Sequence, residues 1–308
     1  MRVIVTGGTG LIGTPLVKRL AKSGYDVTVL SRNPAKYKFP EGVRGERWDA
    51  ESAVGWGHLA NGAGAIINLA GESIGGRGFP PLRWTAERKQ RILHSRLKAG
   101  KAIVAAVRAA TSKPHVVIQA SGIDYYGNVP DETIITEEAP KGEGFLSDVT
   151  WDWENSTAAV KKMGTRQIIL RTGLVLSLDG GALPQTMLPF KFFAGGPLGG
   201  GKQWLSWIHL EDEIQAIQFL LESSDAAGVY NLCAPNPLPQ KQVAKEIGRM
   251  MSRPSLIPTP AFALKLILGE MAVMILDGRC ALPHRLQEMG FTWQYPHLRD
   301  ALLDLYNR

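Results

Sequence analysis

The first thirty residues constrain the fold more than any other stretch. Arg2 to Thr6 is a short apolar run rich in β-branched residues, the composition of a buried strand. Gly7-Gly8-Thr9-Gly10 ends it, and residues 11–23 then carry Ile12, Leu16 and Leu20 at the spacing of one helix face. Gly24 stops that helix, and Val27 to Leu30 reads as a second buried strand. Gly7, Gly10 and Gly13 are spaced GxxGxxG across the strand-to-helix turn. Glycine lets the chain turn sharply there, lets a pyrophosphate approach the N–H groups of the helix N-terminus, and lets helix pack closely on strand. A glycine pattern alone is weak, but strand, turn, helix and strand in that order is the context that a dinucleotide fingerprint requires.

The alternation continues. Residues 65–70, 116–120 and 167–171 read as strands, and 84–110 and 147–163 as helices between them. This pattern predicts an α/β fold, a Rossmann-type doubly wound parallel sheet covered on both faces. Strand order is not legible. From Gly173 the chain becomes loop-rich, punctuated by Gly180-Gly181, Gly195-Gly196-Pro197 and Gly199-Gly200-Gly201. Helices are expected at 211–222 and 240–251, with a strand at 229–232 between them. Pro254, Pro258 and Pro260 mark a linker before a helical C-terminal segment. The expected organisation is a dinucleotide-binding domain over 1–235, with 172–205 contributing a smaller substrate side, and a small, mainly helical domain over 236–308.

The end of the second strand bears on the cofactor. An acid there would bond the ribose hydroxyls of NAD and repel a 2′-phosphate. This chain has Ser31-Arg32, a hydroxyl and a guanidinium suited to a phosphate, so the expected cofactor is NADP(H).

Composition excludes several alternatives. At 308 residues, 44% hydrophobic and 20% charged, the chain has the make-up of an ordinary globular protein. Its most apolar late stretch, residues 262–276, is short and holds Lys265 and Glu270, so no membrane span or membrane partner is expected. No targeting segment is visible, and a cytoplasmic location is the default expectation. The two cysteines, Cys233 and Cys280, read as buried, inert thiols, and the six scattered histidines show no metal-ligand spacing. Between Arg83 and Lys113 nine Lys/Arg stand against Glu87 alone, so this stretch accounts for the net charge of +7 and the remainder of the chain is nearly neutral. No helix-turn-helix or aromatic stacking pattern accompanies it, so a solvated helix face is favoured over nucleic acid.

The chain also resembles the extended short-chain dehydrogenase/reductase superfamily. Thr6 to Gly13, Asn68-Leu69-Ala70-Gly71-Glu72, Tyr125-Tyr126-Gly127 and Leu170-Arg171-Thr172-Gly173 carry the resemblance. Trp84-Thr85, His94-Ser95-Arg96-Leu97, Gly195-Gly196-Pro197-Leu198-Gly199, Trp207-Ile208-His209-Leu210-Glu211-Asp212, Arg279-Cys280-Ala281-Leu282-Pro283 and Glu288-Met289-Gly290-Phe291 narrow it. The narrower group is the "epimerase family" proteins, sometimes labelled cell-division-inhibitor-like, that end in a small domain of unknown function. The resemblance implies a cofactor set of Gly7, Thr9, Gly10, Leu11 and Ile12 on the turn and Ser31 and Arg32 at the 2′-phosphate. Leu69, Ala70, Gly71 and Glu72 would lie along the cofactor, Ser95 and Arg96 would face it from a helix, and Thr172 to Leu174 would pass the nicotinamide end.

That superfamily works with Ser, Tyr and Lys, the last two at i and i+4 on one helix face, where the cation lowers the phenol pKa. No tyrosine here has Lys four residues on. If Glu154 aligns with the acid that follows the Lys, then Leu146 and Thr150 stand in the Tyr and Lys places. Ser121, six residues before Gly127, falls where the serine is expected, and a structural role for it is equally open. Tyr125 or Tyr126, the pair Asp148 and Asp152, and His209 are the other conceivable proton carriers, each with a structural reading beside it. Ser121 and Tyr126 are the catalytic candidates. Phe190, Phe192, Phe193, Trp204 and Trp207 could line a substrate cleft or fill the core. Two functions follow: an atypical NADP(H)-dependent oxidoreductase or nucleotide-sugar-epimerase-like enzyme acting on an unidentified small molecule, or a catalytically inactive NADP(H)-dependent sensor that a partner reads.

Overall fold

Seven strands form one sheet: β1 (Arg2–Thr6), β2 (Asp26–Ser31), β3 (Val43–Arg47), β4 (Ala65–Asn68), β5 (Val116–Gly122), β6 (Arg166–Thr172) and β7 (Gly228–Leu232). The computed structural model describes residues 1–76 and 83–307. All neighbours pair in parallel, in the order β7-β6-β5-β4-β1-β2-β3. The order reverses direction at β1, so the C-terminal ends of β1 and β4 flank a crevice, the place where open α/β sheets bind ligands.

The strands alternate between two cores. Val3 and Val5 of β1, Ala65 and Ile67 of β4, and Val116 and Ile118 of β5 join one apolar cluster, with Leu16, Val17 and Leu20 of α1 (Gly13–Lys22). Ile4, Ile66 and Val117 point the other way, against Ala99, Ile103 and Ala106 of α2 (Ala86–Ala109). Period-two burial on both faces is why these strands read as continuous apolar runs. Edge strand β3, Val-Arg-Gly-Glu-Arg, is polar and mostly exposed, so no apolar signal announced it.

The helix expected over 147–163 divides. α3 (Phe145–Asn155) ends before Ser156, and a 3₁₀ segment covers Ala158–Met163. Ser156 Oγ donates to the carbonyl of Trp153 at 2.6 Å, and α2 crosses here so closely that a Cβ on Gly100 would lie 1.9 Å from that oxygen.

Beyond β6 the chain forms α4 (Leu183–Lys191), α5 (Leu210–Glu222), α6 (Gln240–Met250), α7 (Ala261–Leu268) and α8 (Leu298–Asn307). Leu183, Met187 and Phe190 of α4, Trp207, and residues of α6 and α8 share one apolar cluster. The 172–205 segment thus packs against the C-terminal residues. A second such cluster sets Leu264 and Leu268 of α7, with Met271 and Ala272, against Trp84, Ile92, Leu146 and Val149. Cys233 and Cys280 are buried and free. Among the described residues no helix is long and apolar enough to cross a membrane.

Candidate functional site

The glycine turn is shaped by close backbone contacts. Gly7 has φ +67°, and a Cβ there would lie 2.6 Å from the carbonyl oxygen of Leu69. A Cβ on Gly13 would lie 2.2 Å from the Gly7 oxygen. The turn is closed by Gly10 N donating to Gly7 O at 2.9 Å and Thr14 N to Gly10 O at 3.0 Å. Helix α1 follows without a side-chain cap and without an acid in its first turn. Thr14 and Leu16 N–H are bonded to the Gly10 and Ile12 carbonyls and Pro15 has none, so what the start of α1 offers a phosphate is its positive dipole end with no acid beside it.

A polar ladder beneath the turn holds the opposite wall. Thr6 Oγ1 donates to Asn68 Oδ1 at 2.6 Å, and Asn68 Nδ2 donates to Gln119 Oε1 at 2.8 Å, tying together the ends of β1, β4 and β5. Thr6 Oγ1 also accepts from Ala70 N at 3.3 Å, which sets the start of the 69–72 segment. All three side chains are buried. Their signal in the sequence is a polar residue within or closing an apolar run, and the sequence reading did not use it.

Ser95 and Arg96 act on that segment. Ser95 Oγ accepts from Glu72 N at 2.9 Å, and Arg96 Nη1 donates to Glu72 O at 3.0 Å and Ile92 O at 2.9 Å. The Arg96 guanidinium is buried, 4.6 Å from the Trp153 ring, and burial lowers its pKa to about 10, which leaves it charged at neutral pH. A Cβ on Gly71 would lie 3.0 Å from Arg96 Cζ, so Gly71 permits the approach. Arg88, also buried, donates to the carbonyls of Ser73 and Ile74 at 2.8 and 3.2 Å. The basic helix is therefore only partly a solvated face: Arg88 and Arg96 pin the 71–74 segment from inside.

On the other wall, Ser31 is buried and its Oγ accepts from Asn33 N at 3.3 Å, while Arg32 is exposed just past the strand. Leu174 is half-buried in the short strand Leu174–Leu176, which follows β6 and pairs with Trp207–His209. A groove of about 1050 Å³ touches Thr9, Gly10 and Leu11 and continues past Thr14 and Lys18 to Tyr37 and His209. It runs along the outer flank of α1 and does not include Ser31, Arg32, residues 69–72 or Ser95.

The two catalytic candidates belong to one buried network. Ser121 Oγ donates to Glu154 Oε1 at 2.7 Å. Arg171 holds both oxygens of Glu154, Nε to Oε1 at 2.8 Å and Nη2 to Oε2 at 2.9 Å, and its Nη1 donates to Tyr126 Oη at 3.0 Å. Tyr126 Oη donates in turn to Asn231 Oδ1 at 2.7 Å. Burial raises the Tyr126 pKa to about 12, against the opposing effect of Arg171. For Arg171 burial opposes the charge, but the bonds to Glu154 outweigh it and raise the pKa above the usual value. Both hydroxyls are thus engaged by β6, α3 and β7, a set of partners that separate sequence motifs do not announce.

Leu146 and Thr150, the Tyr and Lys places if Glu154 aligns with the acid that follows the Lys, are both engaged locally: Leu146 lies in the apolar cluster with Leu264, Leu268 and Met271, and Thr150 Oγ1 bonds back to Leu146 O at 2.9 Å. His209 is fully buried as the N-cap of α5, its Nδ1 accepting from Glu211 N at 3.1 Å. Asp148 is on the surface, paired with Lys141 at 2.6 Å. Of the aromatics, Phe190 and Trp207 are core, Phe192 and Phe193 are exposed, and Trp204 is half-buried. A charged pair missed by sequence reading joins Asp124, just past β5, to Arg279 at 2.6 Å.

Comparison with known proteins agrees with this architecture. Residues 259–305 match a domain of unknown function, DUF1731. The chain is 39% identical to the epimerase family protein YfhF of Bacillus subtilis, over 99% of this chain and 98% of that one. It is 37% identical to the chloroplastic SDR39U1 homologue of Arabidopsis thaliana, over 98% of this chain and 86% of that one. The crystal structure of human epimerase family protein SDR39U1 with NADPH superposes with a TM-score of 0.87 at 32% identity, covering 100% of this chain and 99% of that one. Residues 3–233, the whole parallel sheet with its glycine turn, match the model of the NAD dependent epimerase/dehydratase family, and the chain belongs to that family.

Proposed function

We propose that the chain binds NADP(H) across the C-terminal ends of β1, β2 and β4 and works as an atypical oxidoreductase of the short-chain type. The observation that carries the cofactor reading is the uncapped, acid-free start of α1 behind a glycine turn that no Cβ could share, with Ser31 and Arg32 at the neighbouring strand end. NADPH in the crystal structure of the 32% identical human protein supports it. The bound nicotinamide would supply hydride exchange. The turn and α1 would hold the pyrophosphate, and Ser31 and Arg32 the 2′-phosphate. Residues 69–72 would form the facing wall, which Ser95, Arg96 and the Thr6–Asn68–Gln119 ladder keep in place. Leu174 lies on the substrate side. Residues 1–235 would form this unit, and 236–308 would cover its substrate side through α7.

The test is titration of NADPH and NADH against the parent and Arg32→Glu. Loss of charge-assisted bonds worth about 1.5–3 kcal/mol would weaken NADPH roughly 10- to 100-fold and leave NADH nearly unchanged. Equal affinity of the parent for both cofactors overturns the assignment.

A second reading has its own observation. The Tyr and Lys places are filled by an apolar cluster and a self-bonded threonine, and the Ser121 and Tyr126 hydroxyls are already engaged. These features favour a cofactor-dependent sensor. Oxidation of NADPH with any aldehyde, ketone or sugar nucleotide supports the enzyme. Tight binding without turnover, with a partner captured only when NADPH is present, supports the sensor.

A further inference from the structure

One face of the molecule combines protruding apolar side chains with a cluster of cations. Phe192 and Phe193 follow the end of α4, Leu256 and Ile257 lie in the proline-rich segment, and Phe262 and Leu266 sit one turn apart on α7. All six are between 53% and 79% exposed. The segments are joined: Ile257 N donates to Gly195 O at 3.1 Å, Thr259 N to Pro197 O at 2.9 Å, and the Arg253 guanidinium stacks 4.4 Å from the Phe193 ring. α7 begins two residues past Thr259, with Leu264 and Leu268 turned inward and Phe262 and Leu266 outward.

Beside these side chains runs a groove of about 480 Å³, lined by Lys241, Lys245, Arg249 and Arg253 with Ser252 and Ser255. Lys241, Lys245 and Arg249 follow one another at i, i+4 and i+8 on α6, a spacing at which like charges repel. Glu246 is engaged by Arg249 at 2.5 Å, and no acid lines the groove. Among the described residues Lys241 and Lys245 have no ion-pair partner.

We propose that this face docks on the surface of a membrane containing anionic phospholipid, with headgroup phosphates in the α6 groove and the aromatic and aliphatic side chains entering the acyl boundary. Apolar tips with a basic flank are the chemistry of interfacial binding, in which buried apolar area and attraction to acidic lipid act together. The charge argues against a second copy of the chain as occupant, since pairing the face with itself would bring like charges together. The apolar side chains project outward, which suits a deformable hydrocarbon layer. The earlier expectation of no membrane partner rested on the lack of a spanning segment. A surface that lies on a bilayer needs none, and this one joins the end of α4 to the continuous 241–266 stretch.

The experiment is co-sedimentation of the full chain with phosphatidylcholine vesicles, with and without phosphatidylserine. Binding is expected only with phosphatidylserine and should fall as salt rises. Each cation near the surface contributes about fivefold to partitioning, so Lys241→Gln with Lys245→Gln should weaken it about 25-fold. Leu256→Ser with Phe262→Ser should weaken it while leaving its salt dependence in place. All four positions are exposed, and none belongs to the cofactor set, so NADPH affinity should be unchanged and failure here is distinct from failure of the cofactor reading. Equal binding to both vesicle types, or parental binding by both double variants, overturns the proposal. Capture of inorganic phosphate without vesicle binding also overturns it, as does a dimer in light scattering that Leu256→Ser with Phe262→Ser abolishes.

Discussion

Glu213 makes the stability of this chain depend on pH with a sign opposite to that of most carboxylates. It lies in the first turn of α5, fully buried, with Oε1 accepting from Thr172 Oγ1 at 2.8 Å. Its Oε2 has no hydrogen-bond partner among the described residues. Burial raises the pKa from 4.5 to about 8, and the Thr172 bond opposes the rise only in part. Between those values the folded protein keeps a proton that the unfolded chain has released. Stability must therefore fall as pH rises from about 4.5 to about 8 and stay level above that. At 1.36 kcal/mol per pH unit the loss reaches about 5 kcal/mol at most. Glu213→Gln keeps an acceptor for Thr172 and removes the ionisation. With an unfolding entropy of about 2.1 cal/mol/K per residue over 308 residues, each kcal/mol moves Tm by about 1.5 °C. The Gln variant should match the parent near the unfolded pKa of 4.5 and exceed its Tm by up to about 7 °C above pH 8. Circular-dichroism melts of both proteins across that range measure the gap. Parallel Tm profiles would refute the reasoning, because they would mean that the Glu213 carboxyl titrates alike in the folded and unfolded chains.

Three further outcomes follow from the site. Gly13→Ala places a methyl 2.2 Å from the Gly7 oxygen, so the turn must open and NADPH affinity should fall at least about tenfold, read by fluorescence titration. Ser121→Ala and Tyr126→Phe each remove one donor from the Glu154–Arg171 network. Each should cost about 1 kcal/mol in denaturant unfolding and leave NADPH binding intact. Arg171→Leu leaves the Glu154 carboxylate buried without its cation and should destabilise by about 3–5 kcal/mol, with Glu154→Gln in the same background recovering part of the loss.

The cofactor side of the fold was legible because backbone geometry leaves few choices there. A turn that brings Gly7 against Leu69 and Gly13 against Gly7 excludes any Cβ, and the strands on either side are buried on both faces, so their apolar runs are continuous. The missing Tyr–Lys pair was equally legible, since an i, i+4 spacing is present in a sequence or it is not. The same reading passed over β3, which has no apolar face to announce it, and ran α3 past Asn155, where the helix ends beside the close α2 crossing at Gly100. It placed Ser95 and Arg96 beside the cofactor; which groups they bond, the backbone of Glu72 and the Ile92 carbonyl, only the folded chain shows.

The glycine turn, the Ser31-Arg32 strand end and the alternation of strand and helix are local properties, fixed by which residues tolerate a given backbone and by which period their apolar side chains follow. Tertiary structure alone decided what each polar group is bonded to. Ser121, Tyr126, Glu154, Arg171 and Asn231 come from five elements and meet only because β5, β6 and β7 are neighbours in the sheet. The basic and apolar face likewise exists only where α4, the proline-rich segment, α6 and α7 come together. Hydrogen bonds and charge interactions depend on distances in space, and a chain specifies those only once it has folded.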